Sequence, residues 1–141
     1  MSLRIVRLGS ERLPDEGLRI GTVRRPPRGV PKPDWTRRDF FDVWLPLLAP
    51  SEALLRQAKA AGAEERRWRA FVRKFRSEMK RPEAARTLDL LAALSHTTQL
   101  SVGCYCAVET HCHRSILRAL LTERGAEFAA HESPISPANT L

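Results

Sequence analysis

The stretch Leu100–Val108, LSVGCYCAV, restricts the fold more than any other part of the chain. Leu100, Val102, Cys104 and Cys106 alternate with Ser101, Gly103, Tyr105 and Ala107, so both sides are apolar or small. A strand with no polar side to turn towards water belongs in the middle of a parallel sheet covered by helices. Parallel neighbours need long crossovers, and a helix follows at once. From His113 to about Arg124 the residues Ile116, Leu117, Leu120 and Leu121 recur at intervals of three and four, and Gly125 ends the run. Strand, short loop and helix form the unit of an α/β fold. The expectation is a single three-layer α/β domain with a mostly parallel sheet flanked by helices.

The other periodicities supply partners for this unit. LRIVRLG (Leu3–Gly9) and GLRIGTV (Gly17–Val23) read as strands on either side of a turn-rich ERLPDE. RRPPRGVPKPDW (Arg24–Trp35) then contains four prolines. Each removes a backbone donor and restrains its predecessor, so a defined loop carrying Arg24, Arg25, Arg28 and Lys32 is expected. Phe41, Val43 and Leu45 fit one face of a short strand or a buried extended segment. Ser51 is placed to cap a helix that closes near Gly62, with Glu52 at its positive end. Within Ala63–Lys80, Trp68, Phe71, Val72, Phe75 and Met79 form the core stripe of a second helix. Beyond Pro82, a third helix from Glu83 to about Ser95 puts Ala85, Leu88, Leu91 and Ala92 on one side. Ala126–Ala130 is a candidate last strand. The domain is thus expected over 1–130, with 131–141 as a flexible tail.

A chain of 141 residues with 43% hydrophobic residues suits one sizeable core. No run of about 18 apolar residues occurs, and MSLRIVRLGSERL lacks the apolar stretch of a signal peptide, so a soluble, cytoplasmic protein with no membrane partner is expected. The balance of 24 Lys+Arg against 16 Asp+Glu, a formal +8, favours anionic partners. Only Lys32, Lys59, Lys74 and Lys80 are lysines, and such an arginine skew also arises in a GC-rich genome without selection for binding. The polar face of the second helix carries Arg66, Arg67, Arg69, Arg73, Lys74, Arg76 and Lys80 against Glu64, Glu65 and Glu78. It reads as a solvated outer face or as a nucleic-acid surface.

All three cysteines and two of the four histidines fall between Cys104 and His113. An odd count without secretory context argues against a structural disulfide. In open α/β sheets ligands collect at the carboxyl ends of strands, where helix N-termini present free amides. Glu109 to Ser115 occupy that junction. Cys112, flanked by His111, His113 and Arg114 at a helix start, is the candidate reactive thiol. Arg114 and Ser115 are placed to bind a carboxylate or phosphate. The spacing does not match the phosphatase loop, because the arginine six positions on is Arg118, inside the helix. Blander readings make Cys104 and Cys106 small core residues and pack Cys112 beneath the helix. A metal site would have five ligands available in CYC and HCH. Spaced pairs are missing, and alternate residues of a core strand make an awkward half-site, so neither metal nor cofactor is expected.

The segment CYCAVETHCHRSILRALL resembles the strand, loop and Cys-His-Arg-Ser helix start of the bacterial family of domain of unknown function 488. RRPPRGVPKPDW, FFDVWLPLLAPS and WRAFVRKFRSEMKRPEAARTLDLL resemble its YeaO-like branch in the same order, so the likeness runs from about Arg19 to Gly125. The resemblance implies a compact α/β domain of uncharacterised reaction. It matches Cys104 and Cys112 to the two recurrent cysteines, Arg114 to the helix arginine, and Arg24 and Arg28 to the loop arginines. Two positions depart from the pattern: Val23 stands where an Asp precedes the first loop arginine, and Cys106 where an acidic residue is common.

Two function classes follow, beside a purely structural or partner-binding reading in which neither set of residues matters. In the first, Arg24, Arg28, Arg114 and Ser115 bind an anionic small molecule beside Cys112, with His113 or His111 as base if the site is catalytic. In the second, a module without catalysis holds nucleic acid on the basic helix over 66–80.

Overall fold

The computed structural model describes residues 1–61, 65–106, 109 and 112–129. The apolar alternation becomes four strands: β1 (Leu3–Arg7), β2 (Leu18–Gly21), β3 (Val43–Trp44) and β4 (Leu100–Cys104). They pair in the order β1-β4-β2-β3, and every pairing is parallel. β4 is central and buried along its whole length, as its two apolar sides require. Leu3 and Leu18 both align with Leu100, and Ile5 and Ile20 with Val102.

Leu3, Ile5, Ile20, Leu100 and Val102 face the main core, which they share with residues from four helices, whereas Leu18 is exposed. The helices are α1 (Glu52–Ala61), α2 (Glu65–Glu78), α3 (Pro82–Leu94) and α4 (His113–Glu123). The Ser51 hydroxyl accepts from the Leu54 amide at 3.2 Å, which is the expected cap on α1. The stripe of α2 buries Phe71 and Phe75, and Met79 just beyond it. Leu117, Leu120 and Leu121 of α4 complete the layer, each such burial contributing roughly 1.5–3 kcal/mol.

The alternate residues of the strands make the opposite face, and it is polar. Arg4, Arg19 and Ser101 lie in register there and are all buried. Irregular chain covers them. Glu16 receives both Nε and Nη2 of Arg19 at 2.6 and 2.8 Å and the Ser101 hydroxyl at 2.7 Å. The third guanidinium nitrogen of Arg19, Nη1, donates to the carbonyls of Ser10 and Asp39. Burial by itself would raise the Glu16 carboxyl, but these donors and the Leu13 amide hold it below its ordinary value. The sheet is therefore enclosed by an apolar helical layer on one face and an ion-paired loop layer on the other.

Several element boundaries differ from the periodic reading. α3 starts at Pro82 and fully buries Ala84 rather than Ala85. The proline segment holds a single 3-10 turn over Lys32–Asp34, because Pro at its second position needs no amide there. The last expected strand reduces to a bridge between Leu3 and Phe128. β4 stops at Cys104, so Tyr105 and Cys106 leave the ladder. The expected tail over 131–141 lies outside the described residues, as does the expected helix end at Gly62. Among the described residues no helix is long and apolar enough to cross a membrane.

Candidate functional site

The carboxyl end of the sheet gathers the cysteines. Cys104 is the last residue of β4, Cys112 is the N-cap of α4, and their sulfurs lie 2.9 Å apart. The chain turns as it leaves β4, and the Cys106 amide donates to the Cys104 sulfur at 3.3 Å. That turn brings the third thiol back to the first two, and all three sulfurs lie within 4.8 Å of one another. Cys104 and Cys112 are buried, whereas Cys106 is exposed. Gly103, the residue before Cys104, lets β1 lie close against this end of β4. A Cβ there would stand 2.6 Å from the Val6 carbonyl oxygen and 2.8 Å from the Val6 side chain.

His113 is positioned by three elements. It opens α4, its ring meets Phe75 of α2 edge-on at 5.7 Å, and its Nε2 donates to the Thr22 carbonyl at 2.6 Å just after β2. With that proton placed on Nε2, Nδ1 faces the Cys112 sulfur at 3.8 Å as an acceptor. A cysteine, a histidine and an orienting carbonyl thus stand in line.

The thiols share protons. Hydrogen bonds to Cys106 and Cys112, with burial added, push the Cys104 thiol far above its ordinary value. Hydrogen bonds from Cys104 and Cys112 outweigh burial at Cys106 and, with the charge of Arg114, bring it down to about 3. Cys112 is lowered by Cys104, against the opposing bond of Cys106 and burial, with help from His113. Cys106 is the thiol of the group that reaches solvent.

Cys104, Cys106 and His113 form one wall of a cavity of about 430 Å³. Its other walls carry Arg24 and Arg25 from the proline loop and Glu52, Leu55 and Arg56 from α1. Arg24 donates to the carbonyls of Pro46, Ala49 and Pro50, tying the proline loop to the start of α1. Arg25 pairs with Glu52 at 2.8 Å on the surface. Three guanidinium groups therefore share the lining with the Glu52 carboxylate and the lowered Cys106 thiol.

The remaining sequence-predicted residues stand elsewhere. Arg114 is buried behind the cysteines, donating to the carbonyls of Val6 at 2.8 Å and Cys106 at 2.7 Å, so it fixes the loop that carries Cys106. Ser115 donates to the Cys112 carbonyl at 2.9 Å. Arg28 is exposed on the proline loop and does not line the cavity, and neither do Arg114, Ser115 and Cys112. His111 lies outside the described residues. Arg118 grips Glu109 through Nε at 2.6 Å and Nη2 at 3.0 Å, anchoring one point of the segment between Cys106 and Cys112.

Sequence reasoning missed Arg25, Arg56 and Cys106 as cavity residues. Arg56 sits on α1, remote along the chain, and nothing local announces its approach. Cys106 did carry a signal, being the position where the family resemblance leads one to expect a carboxylate. Val23, the other departure, is buried in one apolar cluster with Cys104 and Cys112.

The family model described as the active DUF488-N3 subclade matches residues 3–125, a span that includes the whole cavity and all three cysteines. No curated protein and no solved structure matches the chain.

Proposed function

The chain belongs to the active DUF488-N3 subclade of the DUF488 family, and from the geometry of its cysteine cluster we propose that it is a thiol-dependent domain acting on a small phosphate-bearing or carboxylate-bearing molecule. One observation carries the reading: two of three clustered thiols, buried Cys104 and exposed Cys106, line a cavity rimmed by Arg24, Arg25 and Arg56, with Cys112 directly behind them. The arginines hold the anion, and Cys106 is the thiol within its reach. The buried Cys112–His113 pair behind it holds a proton in a low-dielectric setting, with the Thr22 carbonyl fixing the tautomer. In the catalytic form of this reading, Cys106 Sγ bonds to an electrophilic atom of the ligand, the bond to the leaving group breaks, and the pair supplies the proton that the leaving group takes.

Limited alkylation by a neutral reagent, mapped to peptides by mass, tests this on reduced, chelator-treated protein with and without sulfate. Cys106 is expected to react fastest and to be slowed by sulfate, and Arg56→Ala combined with Arg25→Ala is expected to remove that protection. Equal rates at the three cysteines, or rates indifferent to sulfate, would overturn it. Fastest reaction at Cys112 would return the nucleophile to the helix cap. The nucleic-acid module remains the competing class. It would replace this reading if steeply salt-dependent binding to arbitrary DNA or RNA vanished on charge reversal at Arg66, Arg69 and Arg73 and ignored Cys106→Ser.

A further inference from the structure

We infer that Cys104, Cys106, Cys112 and His113 form a binding site for a thiophilic divalent cation of the zinc class. This goes beyond the anion-cavity reading and does not rest on it. The three sulfurs lie within 4.8 Å of one another, while His113 Nδ1 stands outside that group, 3.8 Å from the Cys112 sulfur, and completes a tetrahedral Cys3His set by closing on the other two. A tetrahedron with metal–sulfur bonds of ~2.3 Å has sulfur–sulfur edges of ~3.8 Å. The sulfurs bracket that value, with Cys104 and Cys112 at 2.9 Å and all three within 4.8 Å. Side-chain rotations at the cysteines would adjust the sulfurs towards it.

The surroundings also fit. Metal-bound histidines characteristically donate their second ring nitrogen to a carbonyl or carboxylate, which fixes the ring and frees the other nitrogen for the metal. His113 already does so, with Nε2 on the Thr22 carbonyl and Nδ1 turned towards Cys112 at 3.8 Å. The Cys106 amide donates to the Cys104 sulfur, as suits a thiolate. Three thiolates around a dication leave one negative charge, and Arg114 stands beside them with its Nε buried and without a hydrogen-bond partner among the described residues.

The objection that a core strand makes an awkward half-site does not apply here. β4 ends at Cys104, so Cys106 belongs to the turn and is free to double back. Binding would follow a simple exchange, in which each thiol that ligates the cation gives up its proton to solvent. The exposed side of Cys106 places the cation at the cavity wall, where occupancy would silence the thiol proposed above as reactive.

The test uses reduced, chelator-stripped full chain titrated with Zn²⁺ and, separately, with Co²⁺ as a visible reporter. One equivalent bound, sulfur-to-cobalt charge-transfer bands with the intense visible bands of a tetrahedral ion, and protection of all three cysteines from alkylation are expected. Cys106→Ser, at the exposed member, should weaken binding by at least about tenfold while far-UV circular dichroism stays unchanged. Lack of stoichiometric binding, or affinity unchanged by Cys106→Ser, would overturn the site. Affinity unchanged by His113→Gln would overturn His113 as the fourth ligand. Because the sulfate experiment runs with chelator present, failure of one reading leaves the other separately measurable.

Discussion

Single residues decide most where they are buried and charged. Arg19 and Glu16 form an enclosed pair beneath the sheet, with every Arg19 nitrogen engaged. Removing one partner of such a pair strands the other in a dry site, at a cost of about 3–5 kcal/mol. Glu16→Gln is therefore expected to lower the urea midpoint by an amount equivalent to ~3 kcal/mol at neutral pH. The Glu16 carboxyl is held below its ordinary value of 4.5, so its contribution is complete above that value and is lost as pH falls through the folded value. Urea midpoints measured down the acid range should fall less steeply in Glu16→Gln than in the unaltered protein, and parallel curves would refute this account. Nothing in the local sequence marks Arg19 as buried. It sits in a strand whose exposed and enclosed faces are told apart only by what packs on them.

Elements show why the cysteine cluster has its present form. β4 lies between β1 and β2, and its small residues let both neighbours close in. Gly103 faces the Val6 carbonyl and the Leu8 side chain, and an added Cβ would stand 2.6 and 2.9 Å from them. Gly103→Ala should therefore part β1 from β4 and shift the turn that follows. A loss of roughly 1–3 kcal/mol in thermal or denaturant unfolding is expected, as for overpacking elsewhere. Alkylation mapping of the same variant should show Cys104 more accessible. The helices were legible because each has one apolar stripe against one core, as in Phe71, Phe75 and Met79. The end of β4 was less so. Tyr105 and Cys106 continue the apolar alternation, and only hydrogen bonds such as that from the Cys106 amide to the Cys104 sulfur show that the ladder has stopped.

At the scale of the molecule, β1 joins β4 with Leu3 opposite Leu100, and the helical layer packs on both. The sheet therefore closes only when distant parts of the chain meet, which makes folding cooperative and slow relative to a helical bundle. Trp35 and Trp44 report on the loop layer and Trp68 on the helical layer. Tryptophan fluorescence and far-UV circular dichroism should give coincident urea transitions. Separate midpoints would mean that the helices and the loop layer unfold independently. The formal charge of +8 acts on association and solubility at this scale, without choosing a ligand.

The sequence by itself determined the elements, the parallel sheet and the crowding of thiols at a strand-to-helix junction, because periodicity and proline placement act over a few residues. The family resemblance added order to those elements. Only the tertiary structure decided which arginines face the cavity and which are consumed by backbone carbonyls. Arg24 lines the cavity although it also binds carbonyls, Arg114 binds carbonyls behind it, and Arg56 arrives at it from α1. Only the tertiary structure brought Cys106 back to Cys104 and set His113 between Thr22 and Cys112. The physical reason is the same in each case: a buried polar group is satisfied by whichever partner the fold delivers, and that partner is distant in the chain.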